Sequence, residues 1–155
     1  VLRKVAIYTD GACSGNPGKG GYAFILRTKI EDKIHEKSFS KGYQMTTNNR
    51  MELLGVIDAL SRLKYPCEVT VYCDSQYVVN AINKNWLQSW INNNWKNGTV
   101  KNIDLWKKLL PLLGEHTVKF VWVKGHSDNV FNNRCDELAV QAMSGELFID
   151  EGYNK

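Results

Sequence analysis

Apolar and polar positions form strand-like runs near the start of this chain, then runs at helical spacing interrupted by further strand-like runs. Val5-Ala-Ile-Tyr-Thr9 is a short β-rich run ending at Asp10-Gly11. Asn16-Pro-Gly-Lys-Gly-Gly21 reads as a turn. Tyr22 to Thr28 and Lys33 to Lys41 read as two strands joined across Glu31-Asp32. Turns this short exclude parallel crossovers and predict a three-stranded antiparallel meander.

The period then changes. Thr46-Thr47-Asn48-Asn49 offers several N-caps, and Met51, Leu54, Ile57, Leu60 and Leu63 recur at helical spacing until Tyr65-Pro66. Glu68 to Cys73 is the next strand and stops at Asp74; Ser75 caps a short helix through Ile82. One or two helices follow around an Asn-rich turn, then a helix from Ile103 to Leu113 with Pro111 near its end. Thr117 to Val123 is the last strand, Gly125 to Asn133 a polar loop, and Asn133 to Met143 a closing helix. This order predicts an α/β fold: a five-stranded mixed sheet, three strands antiparallel and two parallel, flanked by helices.

Length and composition narrow the class. At 155 residues, with 43% hydrophobic and 23% charged residues, the chain reads as one globular domain spanning 1–155, and wholesale disorder is excluded. No apolar run approaches the ~20 residues of a membrane span, and Val1-Leu2-Arg3-Lys4 shows no signal-peptide pattern. Cys13, Cys67, Cys73 and Cys135 form no CxxC pair, which predicts reduced thiols and a cytoplasmic location. Nothing predicts an obligate oligomer, so a monomer is expected.

The net charge of +4 is uninformative as a sum and informative as a distribution. Lys84 to Lys108 holds five lysines, one acid and four of the five tryptophans; the remainder is neutral, with 15 bases against 15 acids. Lysines interleaved with aromatics fit a polyanion carrying flat bases or sugars. The same pattern fits an amphipathic helix pair with buried tryptophans and solvated lysines.

Four acids stand apart from the solvated ones. Asp10 and Asp74 each end a hydrophobic strand, Glu52 lies one turn inside a helix among apolar neighbours, and Asp136 sits in the first turn of the final helix. A right-handed connection would set the Asp10 and Asp74 strands side by side and parallel, with both acids at the sheet edge where α/β proteins place ligands. Converging carboxylates repel unless they are protonated or bind a cation, and oxygen ligands suit Mg²⁺. Two ions ~3.5–4 Å apart serve phosphodiester hydrolysis. Taken singly, each acid fits an ordinary structural role better, Asp10 capping the Gly11 turn and Asp74 or Asp136 capping helices; their combination is what points to a metal site.

Five strings carry a resemblance: Thr9-Asp-Gly-Ala-Cys-Ser-Gly-Asn-Pro-Gly18, Thr47-Asn-Asn-Arg-Met-Glu-Leu53, Tyr72-Cys-Asp-Ser-Gln76, Trp122-Val-Lys-Gly-His126 and Arg134-Cys-Asp-Glu-Leu-Ala139. In order and spacing the chain resembles type 1 ribonuclease H of the bacterial single-domain kind, from Tyr8 to about Met143. The resemblance implies a metal-dependent endonuclease that cleaves the RNA strand of RNA–DNA hybrids with two Mg²⁺, Mn²⁺ also accepted, leaving 5′-phosphate and 3′-hydroxyl ends. It implies catalytic metal ligands at Asp10, Glu52, Asp74 and Asp136, and a proton-transfer or product-release role for His126. His35 and His116 match nothing functional and read as surface residues. Asn16, Asn48 and Gln76 match minor-groove contacts, Thr47 and Asn102 a phosphate pocket, and Trp86 and Asn132 further substrate contacts. The 84–108 window matches a basic protrusion gripping the DNA strand. A binding module without catalysis should have lost one of the four acids or His126, and all five are present. A transposase-like or resolvase-like enzyme shares the metal logic but not the Thr47 to Glu52 string or the protrusion.

Two departures concern grip. Relatives carry arginine at the position of Met45, and residues 92–99 are shorter and poorer in charge than in well-known bacterial counterparts. Fewer phosphate contacts release fewer counterions. Side by side with a strongly basic relative, this chain should show a shallower slope of log K for hybrid binding against log salt; an equal or steeper slope rejects the weaker grip.

Overall fold

A computed structural model describes residues 2–124 and 129–153. The order is β1 (Arg3–Cys13), β2 (Gly18–Ile30), β3 (Lys33–Thr46), α1 (Asn48–Ser61), β4 (Cys67–Cys73), α2 (Gln76–Asn83), α3 (Trp86–Asn92), α4 (Asn94–Gly98), α5 (Ile103–Glu115), β5 (Thr117–Trp122), α6 (Val130–Ala142) and β6 (Leu147–Phe148). The sheet runs β5-β4-β1-β2-β3-β6. β1, β2 and β3 form the antiparallel meander, and β4 and β5 join parallel to β1. The mixed sheet is as expected except for a sixth strand, the two-residue β6, which pairs parallel with β3 at Gly42 and Tyr43. Two residues carry no periodicity, so this strand leaves no pattern in the sequence.

Helices cover both faces. β2 reads as a continuous buried run from Gly20 to Ile25 because its alternate side chains enter different cores. Tyr22 and Phe24 pack under α1 and α5 with Met51, Leu60, Trp106 and Leu109. Ala23 and Ile25 meet Cys135 and Ala139 of α6. At Gly42 any Cβ would collide with the carbonyl oxygen of Ala142, so α6 lies on the strands at backbone distance. The β2–β3 hairpin turns through Glu31 and Asp32, both left-handed (φ 51° and 66°), the pairing that matches strand twist.

Several boundaries differ from expectation. β1 continues through Asp10 to Cys13 because β2 keeps pairing with it as far as Gly20. α6 starts at Val130, not Asn133, because the Asn129 side chain accepts from the amides of Phe131 and Asn132. Asp136 is therefore the seventh residue of α6 rather than a first-turn residue. His116 is not at the surface: it is 5% exposed, and its Nδ1 accepts from the Cys67 amide at 3.1 Å. His35 is exposed. The four cysteines are free thiols. No helix among the described residues is long and apolar enough to cross a membrane.

The tryptophan window divides between its two readings. Trp106 is fully buried, Trp90 and Trp95 pack partly against the core, and Trp86 stands 41% exposed. The asparagines are its corners. Asn85, Asn94, Asn97 and Asn102 have positive φ, with Trp95 and Lys96 between them, so α4 is a left-handed turn.

Arg50 ties the C-terminal segment to this frame. Its Nε and Nη2 donate to Asp150 at 2.7 and 2.9 Å, and Nη1 and Nη2 donate to Asp104 at 2.9 and 2.8 Å. Thr46 Oγ1 donates to Asp150 at 2.7 Å. The Arg50 and Asp150 side chains are each 4% exposed, whereas Asp104 is 40% exposed and held below the usual carboxylate range by its hydrogen bonds from Arg50. Removing one partner of a buried pair strands the other. Asp150→Ala should cost about 3 kcal/mol and Asp104→Ala about 1 kcal/mol or less, read as urea midpoints at constant m-value. Equal losses would place the two pairs on the same footing.

Candidate active site

Parallel pairing of β1 with β4 ends at Thr9 and Cys73. Past that rung β1 carries Asp10 onward beside β2, while the chain leaves β4 at Asp74 toward the Ser75 cap of α2. The gap is a cavity of about 470 Å³ whose lining includes Asp10, Glu52, Asp74 and Asp136. The four acids singled out in the sequence thus share one site.

Glu52 reaches it because Gly11 lets α1 touch β1: a Cβ on Gly11 would lie 2.7 Å from the Glu52 amide nitrogen. The Gly11 amide donates to Glu52 Oε1 at 2.7 Å and to Asp10 Oδ1 at 2.9 Å. The buried Cys73 thiol donates to Glu52 Oε2 at 3.5 Å. Glu52 is 3% exposed and Asp10 7%. Among the described residues no ion pair reaches either one.

Burial is the main cause raising the Asp10 carboxyl above its ordinary value; the charges of Glu52 and Asp74 add to it, as do hydrogen bonds with Asp136 and Glu52. Burial and the Asp74 charge likewise raise Glu52, against hydrogen bonds from Gly11, Asp10 and Cys73. Burial, followed by the Glu52 charge, keeps the Cys73 thiol protonated and a donor. Glu52, Cys73 and Asp74 offer ligand atoms within 4.8 Å of one another. Oxygen-rich, with no ion pair to Asp10 or Glu52 among the described residues, the cluster fits a hard divalent ion.

The other candidates surround this cavity unevenly. Asn48 and Gln76 line it and are exposed. Asn16 sits against Asn48, whose amide donates to Asn16 Oδ1 at 2.9 Å. Thr47 caps α1, accepting from the Arg50 amide. Asn102 is held by Tyr77 Oη, which its Nδ2 reaches at 3.1 Å, and by Arg50 Nη1 at 3.3 Å from its Oδ1. Trp86 projects from the protrusion beneath Lys84, 5.7 Å from the ring centroid. Asn132 lines the cavity but turns its amide nitrogen into the sheet, onto the Thr9 and Tyr72 carbonyls. His126 lies outside the described residues. Sequence reasoning passed over Tyr77, Trp122, Lys124 and Asn133, which also line the cavity. Trp122 and Lys124 fall inside the Trp122 to His126 string, whereas Tyr77 and Asn133 only adjoin the Tyr72 to Gln76 and Arg134 to Ala139 strings; Trp122 Nε1 donates to the Asp74 carbonyl at 3.2 Å.

A family model described as RNase H matches residues 3–144. A protein named Ribonuclease H from Chlorobium phaeobacteroides is 57% identical over 148 residues, covering 92% of this chain and 97% of its own. The crystal structure of LC9-RNase H1, a type 1 RNase H with the type 2 active-site motif, superposes with TM-score 0.85 at 29% identity, over 99% of this chain and 80% of that one. LC11-RNase H1, solved in complex with RNA/DNA hybrid, gives 0.64 at 25% identity, over 90% and 96%.

The raised carboxyls set a pH dependence. A folded-state pKa above the unfolded value, near 4 for Asp and Glu, means that the folded metal-free protein retains a proton the unfolded chain has released. Stability is therefore lost as pH rises above that value, by up to about 1.4 kcal/mol per pH unit for each retained proton. In EDTA, Asp10→Asn should raise stability by about 1–3 kcal/mol at pH 8 and by little near pH 4. Thermal melts across this range check it; a variant no more stable at pH 8 would show that the cluster carries no such strain.

Proposed function

The chain belongs to the ribonuclease H family, as a type 1 member of the bacterial kind, and from that premise we propose that it hydrolyses the RNA strand of RNA–DNA hybrids at the cavity between β1, β4, α1 and α6. One observation carries this reading: four carboxylates meet at the parting of two parallel strands, with Asp10 and Glu52 buried and reached by no ion pair among the described residues. The hybrid seen with LC11-RNase H1 supplies the substrate class.

Asp10, Glu52, Asp74 and Asp136 would hold two Mg²⁺ ions, or Mn²⁺ in their place, which would supply Lewis-acid stabilisation of an attacking water and of the leaving 3′-oxygen; hydrolysis with that polarity leaves 5′-phosphate and 3′-hydroxyl ends. Glu52 is fixed from two sides by the Gly11 amide and the Cys73 thiol, so its carboxylate meets the substrate preorganised. Asn16, Asn48 and Gln76 present amides beside the cavity and sense the 2′-hydroxyls of the RNA strand in the minor groove. Thr47 and Asn102 take a phosphate of the DNA strand, with the Asn102 amide oriented by Tyr77 and Arg50. Trp86 and the lysines of residues 84–108 grip the same strand. His126 assists proton transfer or product release. The protein works as a monomer and in the cytoplasm, the location being supported by its four free thiols.

Labelled RNA–DNA hybrid, RNA duplex and DNA duplex, each with Mg²⁺ and with EDTA, test the proposal. Only the hybrid should be cut, and only with metal. Asp10→Asn should fall to background cleavage while still binding hybrid. Cleavage of DNA duplex, or normal turnover by the variant in Mg²⁺, overturns the reading.

A further inference from the structure

Asn132 stands where the two strands part. Its Nδ2 donates to the Thr9 carbonyl at 3.3 Å and the Tyr72 carbonyl at 3.1 Å, so one amide nitrogen spans β1 and β4 at their last rungs. Thr9 directly precedes Asp10, and Tyr72 lies two residues before Asp74. On α6, Asn132 lies four residues before Asp136, on the same helix face. The side chain is therefore a bridge among the three elements that carry Asp10, Asp74 and Asp136.

We propose that Asn132 is a positioning residue for the carboxylate cluster, and that its bridge, rather than any contact with the hybrid, is its contribution to the reaction. The proposal rests on the functional reading above. Carboxylates brought together repel to the extent that they are ionised, and that force pushes β1, β4 and α6 apart. The bridge opposes the separation beside the charges themselves, and keeps the ligand oxygens spaced for metal. A role in sensing the RNA strand fits the geometry poorly. The residue is 8% exposed, its amide nitrogen serves two backbone carbonyls, and its Oδ1 is buried without a partner among the described residues.

Three variants test this. Asn132→Ala removes the bridge. Asn132→Asp keeps its shape but turns an acceptor toward the two carbonyls. Asn132→Gln keeps the amide and displaces it by one methylene. Mn²⁺ binding to the free protein is measured by calorimetry, kcat and KM on hybrid by steady-state assay, and folded fraction by thermal melting. Folded variants should bind Mn²⁺ at least about fivefold more weakly and lose about 10–100-fold in kcat, with KM within about twofold. Raised Mn²⁺ should restore part of the Asn132→Ala rate. Unchanged Mn²⁺ affinity with raised KM would make Asn132 a hybrid contact and overturn the proposal. Losses that track the folded fraction, or three variants that all fail to fold, would make it a fold element and overturn it equally. If the unsubstituted protein neither binds Mn²⁺ nor cuts hybrid, the functional reading itself fails; if it does both and the variants match it, only the role of Asn132 fails.

Discussion

The parallel pairing of β1 with β4, and its end at Thr9 and Cys73, is the constraint from which the site follows. The meander alone would leave Asp10 in mid-strand, opposite Ala23 of β2 and with no second carboxylate brought to it. Adding β4 on the other side of β1 places Asp74 beyond the last shared rung, and the connection through α1 lays Glu52 over the same point. Gly11 permits the approach of α1, and Gly42 permits that of α6. Close packing on both faces is thus directed at a single edge, where hydrophobic burial holds charges together that would otherwise separate.

That edge and the protrusion have opposite signs. The excess positive charge lies within residues 84–108, and the concentrated negative charge lies in the cavity. A polyanion is attracted to the first and repelled by the second until cations occupy it. The hydrogen bonds to Glu52 suit that occupied state. Gly11 and Cys73 both donate to Glu52, which favours its ionised form even as burial opposes it. A net charge of +4 conceals this opposition because bases elsewhere offset the acids of the cavity: outside residues 84–108, 15 bases meet 15 acids.

Much of the frame was legible in the sequence because it obeys short periods. β1, β4 and β5 announce themselves by β-branched runs, α1 by its 3–4 spacing, Asp10 and Asp74 by reading as strand ends, and Glu52 and Asp136 by lying near helix starts. What escaped depends on partners remote in the chain. Asp10 reads as a strand end, yet β2 extends its ladder to Cys13. Asp136 reads as a first-turn residue because Val130 and Phe131 lie in a polar stretch, where only the Asn129 cap starts the helix early. His116 reads as exposed in a polar junction, yet the Cys67 amide, 49 residues away, draws it inside. The asparagines around the tryptophans read as a turn but not as left-handed corners, since the preference is visible and its use is not.

Arg50 shows why some functional coupling is invisible at the level of motifs. It falls inside the Thr47 to Leu53 string, where its neighbours Asn48 and Glu52 draw attention as polar groups beside the cavity. Arg50 faces the other way. It is buried, and it joins Asp150 of the C-terminal segment, Asp104 at the start of α5 and the Asn102 amide at the left-handed corner before it. Asn102 in turn meets Tyr77, and Tyr77 Oη also accepts from the Nε1 of buried Trp106. The proposed phosphate pocket is therefore held by a chain of hydrogen bonds reaching from the tail of the protein to the base of its protrusion. Arg50 offers that pocket no free charge, because its guanidinium is committed to two carboxylates and an amide. Under the proposed function, grip there rests on uncharged donors held in place, and so on the buried network that orients Asn102.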